Sequence, residues 1–199
     1  MNKVRLLFSA ALLVGVTAFA PAQLKTERAA ESDRIQQNIH KLDLLYTIVP
    51  LALQKNQYND LLTGIETARG RQMDELKKED DDLASVDGDV SQAIDSATQK
   101  GVPPSQTVQK KIADIFAAAQ SRRTTLGEQM VSDVYDLIHE HLNAGQRKVM
   151  AETFPASALG SGVKASDIPE ERKIRYYIRT VLLDPAAYPL LLEMSKHAP

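Results

Sequence analysis

The residues of this chain best equipped for chemistry stand in "DLIHEHLN", Asp136 to Asn143. Imidazole and carboxylate side chains are the common protein ligands of zinc, copper and nickel. His139 and His141 are two positions apart, and on a regular helix such residues point about 200° from each other, so that pair does not chelate one ion. Asp136, His139 and Glu140 do share a face. With a ligand from another chain this trio would hold a divalent cation; the competing reading is a solvated helix face near a C-terminus, where histidine also suits the macrodipole.

The acidic stretch "EDDDLASVDGDV", from Glu79 to Val90, raises calcium as a second possibility. Setting Gly88 at the invariant glycine of an EF-hand loop puts Leu83 and Ser85 where the first ligands belong and Ile94 where the bidentate glutamate belongs. The EF-hand therefore fails, and the expectation is a solvated acidic turn at the tip of a helical hairpin. "RGRQ" at Arg69–Gln72 and "SRRTT" at Ser121–Thr125 are small basic spots, which pair with carboxylates of a facing helix or attract acidic segments of a partner.

Nothing else resembles catalytic equipment. The chain has no cysteine, no serine in a nucleophile-elbow setting, no phosphate-cradling glycine loop and no zinc-type helix motif. "GSG" at Gly160–Gly162 is a short flexible loop. The expectation is a non-enzyme without a cofactor.

The elements that would position these groups begin after an export segment. Lys3 and Arg5 precede an apolar run from Leu6 to Ala20, and Ala20-Pro21-Ala22 supplies small residues for cleavage, so residues 1–22 read as a secretory signal peptide and the location as periplasmic or secreted. No later run is apolar for the roughly 20 residues a spanning helix needs. Without residues 1–22, the chain carries 22 basic against 26 acidic side chains. Counterion displacement from phosphates needs a concentrated basic face, and none is visible, which argues against nucleic acid as a partner. The absence of cysteine means that the fold rests on packing alone.

Apolar spacing of three and four residues dominates the rest, and no segment alternates with period two, so the fold class is all-α. The spacing predicts a first helix over Ser32–Ile48 with Ile35, Ile39, Leu42, Leu45 and Val49 inward, broken by Pro50. A long second helix carries Tyr58, Leu61, Leu62, Ile65, Ala68, Met73, Leu76 and Leu83. A short helix over Asp89–Lys100 follows, closed by Gly101. Pro103 and Pro104 break the chain, and Ser105 caps a helix of about 36 residues, ~54 Å long, with Val108, Ile112, Ile115, Phe116, Ala119, Leu126, Met130, Val134, Leu137 and Ile138 on one face. Gly127 within it suggests a bend or a close helix contact. The two long helices would fold back as a long antiparallel hairpin, with shorter helices at both ends. Asp167 is the expected cap of a C-terminal helix burying Ile174, Tyr177, Ile178, Val181 and Leu182. In domain terms this gives residues 23–154 as the hairpin domain and 155–199 as a helical extension, either a lid placing Tyr176, Tyr177 and Tyr188 against the hairpin or a separate docking element.

Two pentapeptides punctuate this pattern: "LQKNQ" at Leu53–Gln57 and "LNAGQ" at Leu142–Gln146. In the second, Asn143 can accept from the amide three residues on while Gln146 reaches back to the amide of Asn143, a capping box. In the first, Gln57 can play the returning part, Gln54 is a poor cap, and Leu53 with Tyr58 supplies a hydrophobic staple. Both mark helix starts.

A signal peptide, no cysteine, an all-helical chain and two leucine-x-x-x-glutamine helix starts separated by a charged hairpin resemble the periplasmic LTxxQ (Spy/CpxP-like, heavy-metal resistance) family. The likeness covers Leu51 to Glu152; Gln54 and Asn143 stand where the motif has threonine, and residues 155–199 have no counterpart. What the resemblance implies is a helical homodimer that holds unfolded or envelope-stressed polypeptides on its surface without ATP, as a chaperone or stress-response adaptor. The alternative is a periplasmic metal-responsive sensor or metal buffer using Asp136, His139 and Glu140.

Overall fold

The computed structural model describes residues 27–155 and 164–199; the export segment expected over residues 1–22 and the loop at Gly160–Gly162 lie outside them. Among the described residues the chain is all-α, with seven α-helices and no strand. They are α1 (Glu27–Ile48), α2 (Lys55–Ala84), α3 (Asp87–Lys100), α4 (Gln106–His141), α5 (Ala144–Glu152), α6 (Glu170–Tyr177) and α7 (Ala187–Ser195). A 3₁₀ turn, Val49–Leu51, follows α1, and a π turn, Ile178–Leu182, follows α6. None of these helices is long and apolar enough to cross a membrane.

The chain divides into residues 1–40 and 41–199. In the first unit, Ile35 and Ile39 of α1 are exposed, not inward as their spacing predicts. In the second, the last turns of α1 bury Leu44 and, with the 3₁₀ turn, Ile48 and Leu51, while Leu42 and Val49 face solvent. This part of α1 carries apolar residues on two sides. Periodicity detects both stripes and does not say which one meets a neighbour.

The core of residues 41–199 gathers Tyr58, Leu61, Leu62 and Ile65 of α2, Val131, Val134 and Ile138 of α4, and Met150 of α5. Ile174, Tyr177, Ile178, Leu182, Ala187 and Leu191 complete it. The C-terminal helices thus share one core with the α2–α4 pair. Each buried leucine, isoleucine, valine or methionine among them contributes about 1.5–3 kcal/mol on leaving water. The Tyr177 hydroxyl donates to the Thr47 carbonyl at 3.0 Å, so the buried phenol has a polar partner, and burial pushes its pKa well above the usual value. Asp167 does not cap α6. It lies in a 3₁₀ turn accepting from Ser166, and the helix starts after Pro169, whose fixed φ suits an entry position.

α2 and α4 run antiparallel, since positions rise along one as they fall along the other. Gln57 bonds to His141, Arg71 pairs with Asp133, and Arg122 pairs with Glu75 and Asp82. The chain does not reverse at the acidic stretch, however. α2 continues through Asp80, Asp81 and Asp82, α3 resumes after a two-residue break, and Lys111 meets Asp89 at 2.7 Å. Reversal comes at residues 101–105, where Gly101 takes φ +66° and donates to Ala97. Pro103 and Pro104 exclude helix there, and Ser105 accepts from the Val108 amide at 3.3 Å to begin α4. The acidic residues remain helical because several of their carboxylates pair across to α4.

Close approach between α2 and α4 occurs at Gly64, where a methyl group would meet Leu137. Gly127 has nothing within 4 Å of the same position, so it marks no helix contact. Gly127→Ala is therefore expected to stabilise the protein by about 0.5–1 kcal/mol through helix propensity alone. A thermal melt checks this; a lower Tm would show a bend or contact that needs glycine.

Candidate functional site

The two leucine-glutamine pentapeptides, 89 residues apart at their glutamines, meet in the folded chain. Gln57 stands at the third helical position, in the first turn of α2, and Gln146 at the same position of α5, and both are buried. Gln57 Nε2 donates to Gln146 Oε1 at 3.0 Å, and Gln146 Nε2 donates to Gln57 Oε1 at 2.9 Å. The remaining amide hydrogen of each reaches a carbonyl just ahead of the other's helix: Gln57 to His141 at 2.8 Å, Gln146 to Leu51 at 3.1 Å. Each Oε1 also accepts from its own helix-start amide, Gln54 or Asn143, at 3.0 Å.

A carboxamide offers two donors and two acceptor positions, and here every one is used on both residues. Asn143 Oδ1 completes the second box by accepting from the Gln146 amide at 3.0 Å. Leu53, Tyr58 and Leu142 surround the clasp within the same core cluster. On the first side the chain has one more residue between the accepting carbonyl and the cap, and Ala52 takes φ +47° there. That conformation is rare for a residue with a side chain, and it marks where the backbone turns to present Leu51. The punctuation is thus a reciprocal clasp holding the base of α2 to the base of α5. No proton or electrophile is poised in it, so its work is positional.

The histidine-bearing segment lies beside the clasp and separates its own candidates. Asp136 and Glu140 line a groove of about 430 Å³ between α2 and α4, with Asp60, Asp133 and Arg71. His139 instead stacks near Tyr135, ring centroids 5.7 Å apart. His141 Nδ1 lies 3.2 Å from Asp60. Among the described residues no group of three or more such side chains gathers to hold a metal. Within this chain Asp136 and Glu140 face the groove while His139 lies against Tyr135, so the trio is not brought together; neighbours on a helix surface diverge outward unless another element closes over them.

Beyond Ala68 the seam between α2 and α4 changes character. The α2 side chains that meet α4 become Glu75 and Glu79, both buried, and the partly exposed Asp82, and their partners on α4 are Arg122 and Arg123. Arg123 holds Glu79 through both carboxylate oxygens, Nε at 2.5 Å from Oε1, and Arg122 bridges Glu75 and Asp82, the latter at 2.7 Å. Of the basic spots in the sequence, Arg71, Arg122 and Arg123 thus pair with the facing helix, while Arg69 donates to the Pro185 carbonyl. Hydrogen bonding from Arg123 holds the Glu79 carboxyl below the usual glutamate range.

A carboxyl with a lowered folded pKa stabilises the fold above its unfolded pKa, and that contribution disappears as pH falls through the folded value. Protonating the carboxylates of this seam should therefore lower stability. Between about pH 7 and about pH 3, the wild-type Tm is expected to fall further than that of Glu79→Gln, which never carries the charge. Equal slopes in parallel melts would show that the pair contributes nothing.

Comparison with protein-family models, with curated proteins and with solved structures returns no match. The geometry alone therefore carries the functional reading. What it adds to the sequence is a set of large apolar side chains left in water on this same charged half: Met73, Leu76 and Leu83 of α2, Ile94 of α3 and Phe116 of α4. Their spacing places Met73, Leu76, Leu83 and Phe116 on the predicted core faces; in the folded chain the inward places are taken by the ion pairs. An acidic or basic residue recurring every three or four positions within those helices, as at Glu75, Glu79 and Asp82, was the available sign.

Proposed function

We propose that this protein is an exported, chaperone-like or stress-response binding protein that holds polypeptide segments on its helical surface without ATP and without catalysis. The supporting observation is that the half of the α2–α4 pair beyond Ala68 holds itself together by ion pairs while leaving Met73, Leu76, Leu83 and Phe116 in water. Exposed apolar side chains set among charges offer weak, rapidly reversible contacts to an unfolded chain. The glutamine clasp fits this role by anchoring the charged half to a rigid base. It also gives the two motif copies of the LTxxQ resemblance a common physical purpose.

The test is whether the purified chain from Gln23 onward slows aggregation of a chemically denatured client in buffer without nucleotide. Suppression at near-stoichiometric ratio is the expected result, reduced by Leu76→Ser with Leu83→Ser. Unchanged light scattering at several-fold excess over several clients would remove the proposal.

A further inference from the structure

The exposed apolar residues of α2 are the continuation of a stripe that the chain covers elsewhere. Tyr58, Ile65, Leu76 and Leu83 follow one another at intervals of 7, 11 and 7 residues, and on an α-helix each such step returns to within about 20° of the same direction. Tyr58 and Ile65 are buried, whereas Leu76 is 42% and Leu83 45% exposed, with Met73 beside them at 65%. The cover is α7 and its flanks, running antiparallel to α2. Pro199 accepts from the Lys55 amide at 3.2 Å, Tyr188 bonds to Glu66, and Arg69 donates to the Pro185 carbonyl at 3.0 Å with its guanidinium 4.6 Å from the Tyr188 ring. The covering chain ends at Arg69; the stripe does not.

Around the bare part, Asp74, Asp80 and Asp81 are exposed, and among the described residues their carboxylates form no ion pair, against one unpaired lysine, Lys77. Asp80 lies within the stripe, between the directions of Met73 and Leu76, whereas Asp81 and Asp74 lie about 80–100° beyond Met73 on the adjoining face. A carboxylate set among the apolar side chains, with two more on the adjoining face, disfavours an acidic ligand and attracts one whose apolar residues alternate with positive charges.

We propose that the Met73–Leu83 face of α2 binds cationic amphipathic polypeptide segments, seated along the helix where α7 would lie if it continued. This names the client class for the polypeptide-holding reading above and rests on it. The occupant need supply only apolar side chains at helical spacing with lysine or arginine between them, as exposed basic helices and export segments do.

Three fluorescein-labelled peptides with identical leucine spacing, carrying lysine, glutamate or serine at the other positions, test the assignment by anisotropy with the whole chain. The leucine-lysine peptide is expected to bind about tenfold or more tightly than the leucine-glutamate one, with the gap narrowing in high salt. Leu76→Ser with Leu83→Ser should weaken that binding about tenfold, and Asp80→Lys with Asp81→Lys should bring the glutamate peptide above the lysine one. All four positions are exposed, so folding is unaffected, and circular dichroism checks it. Equal binding of the three peptides, still lost on serine substitution, would overturn the cationic class while leaving the holding function intact. Suppressed aggregation with no peptide bound, or binding indifferent to Leu76 and Leu83, would overturn this face as the site. No suppression and no binding would remove both readings.

Discussion

Gln57→Ala is expected to lower the unfolding free energy by about 3 kcal/mol, more than its modest size suggests. The substitution strands one donor and one acceptor of Gln146, together with the His141 carbonyl and the Gln54 amide. An unsatisfied buried polar group costs about 1–3 kcal/mol, and water entering the vacated space recovers only part of that. Gln146→Ala should cost a similar amount for the mirror reason, since it strands Gln57, the Leu51 carbonyl and the Asn143 amide. The double variant is expected to fall short of the sum by about 1–2 kcal/mol, because the second deletion removes groups that the first had already orphaned. Urea unfolding of the four proteins measures the cycle. Strict additivity would mean that the two pentapeptides act separately and that no clasp exists.

Tyr177→Ala should be the most damaging single change in the C-terminal part, at about 4 kcal/mol, with Tyr177→Phe costing only about 1 kcal/mol. The ring is fully buried at the junction of α6 with the core, so its removal leaves a cavity that surrounding helices cannot close. The phenylalanine variant keeps the ring and loses one hydrogen bond to the Thr47 carbonyl. This ratio separates a core residue from a surface latch. A detachable extension would show small, nearly equal effects for both variants in chemical denaturation.

The same contrast explains how much of the molecule was legible beforehand. Helix limits were readable where local chemistry sets them: Ser105 and Asn143 have short acceptors that reach their own backbone, Gly101 adopts the left-handed conformation, and Pro103 with Pro104 excludes helix. The clasp residues Leu53, Gln57, Tyr58, Leu142, Asn143 and Gln146 were recognisable as helix-start signals for that reason. That Gln57 and Gln146 bond to each other was not, because a capping box is satisfied within four residues and gives no sign of a partner 89 residues away. Asp167 failed as a cap because Ile168 and Pro169 follow it, and the fixed proline φ takes over the entry.

Which face points inward was the less readable half. Met73, Leu76 and Leu83 keep the period of Tyr58 and Ile65, yet the covering chain around α7 reaches only to Arg69. Periodicity records direction around a helix axis, not the length of the neighbour that covers it. Asp136, His139 and Glu140 show the same limit for chemistry: shared helix direction brings ligands near, but only a second element makes them converge.

By itself the sequence determined what depends on a few consecutive residues: an all-α chain, and those helix limits that a serine or asparagine cap, a left-handed glycine or a proline sets. The tertiary structure alone decided that Gln57 and Gln146 bond to each other, that Glu75, Glu79 and Asp82 pair with Arg122 and Arg123, and that Ile174, Tyr177, Ile178, Leu182, Ala187 and Leu191 join the core of α2 and α4. Those outcomes depend on which distant surfaces meet, and the free energy of an apolar or charged face is set by what covers it.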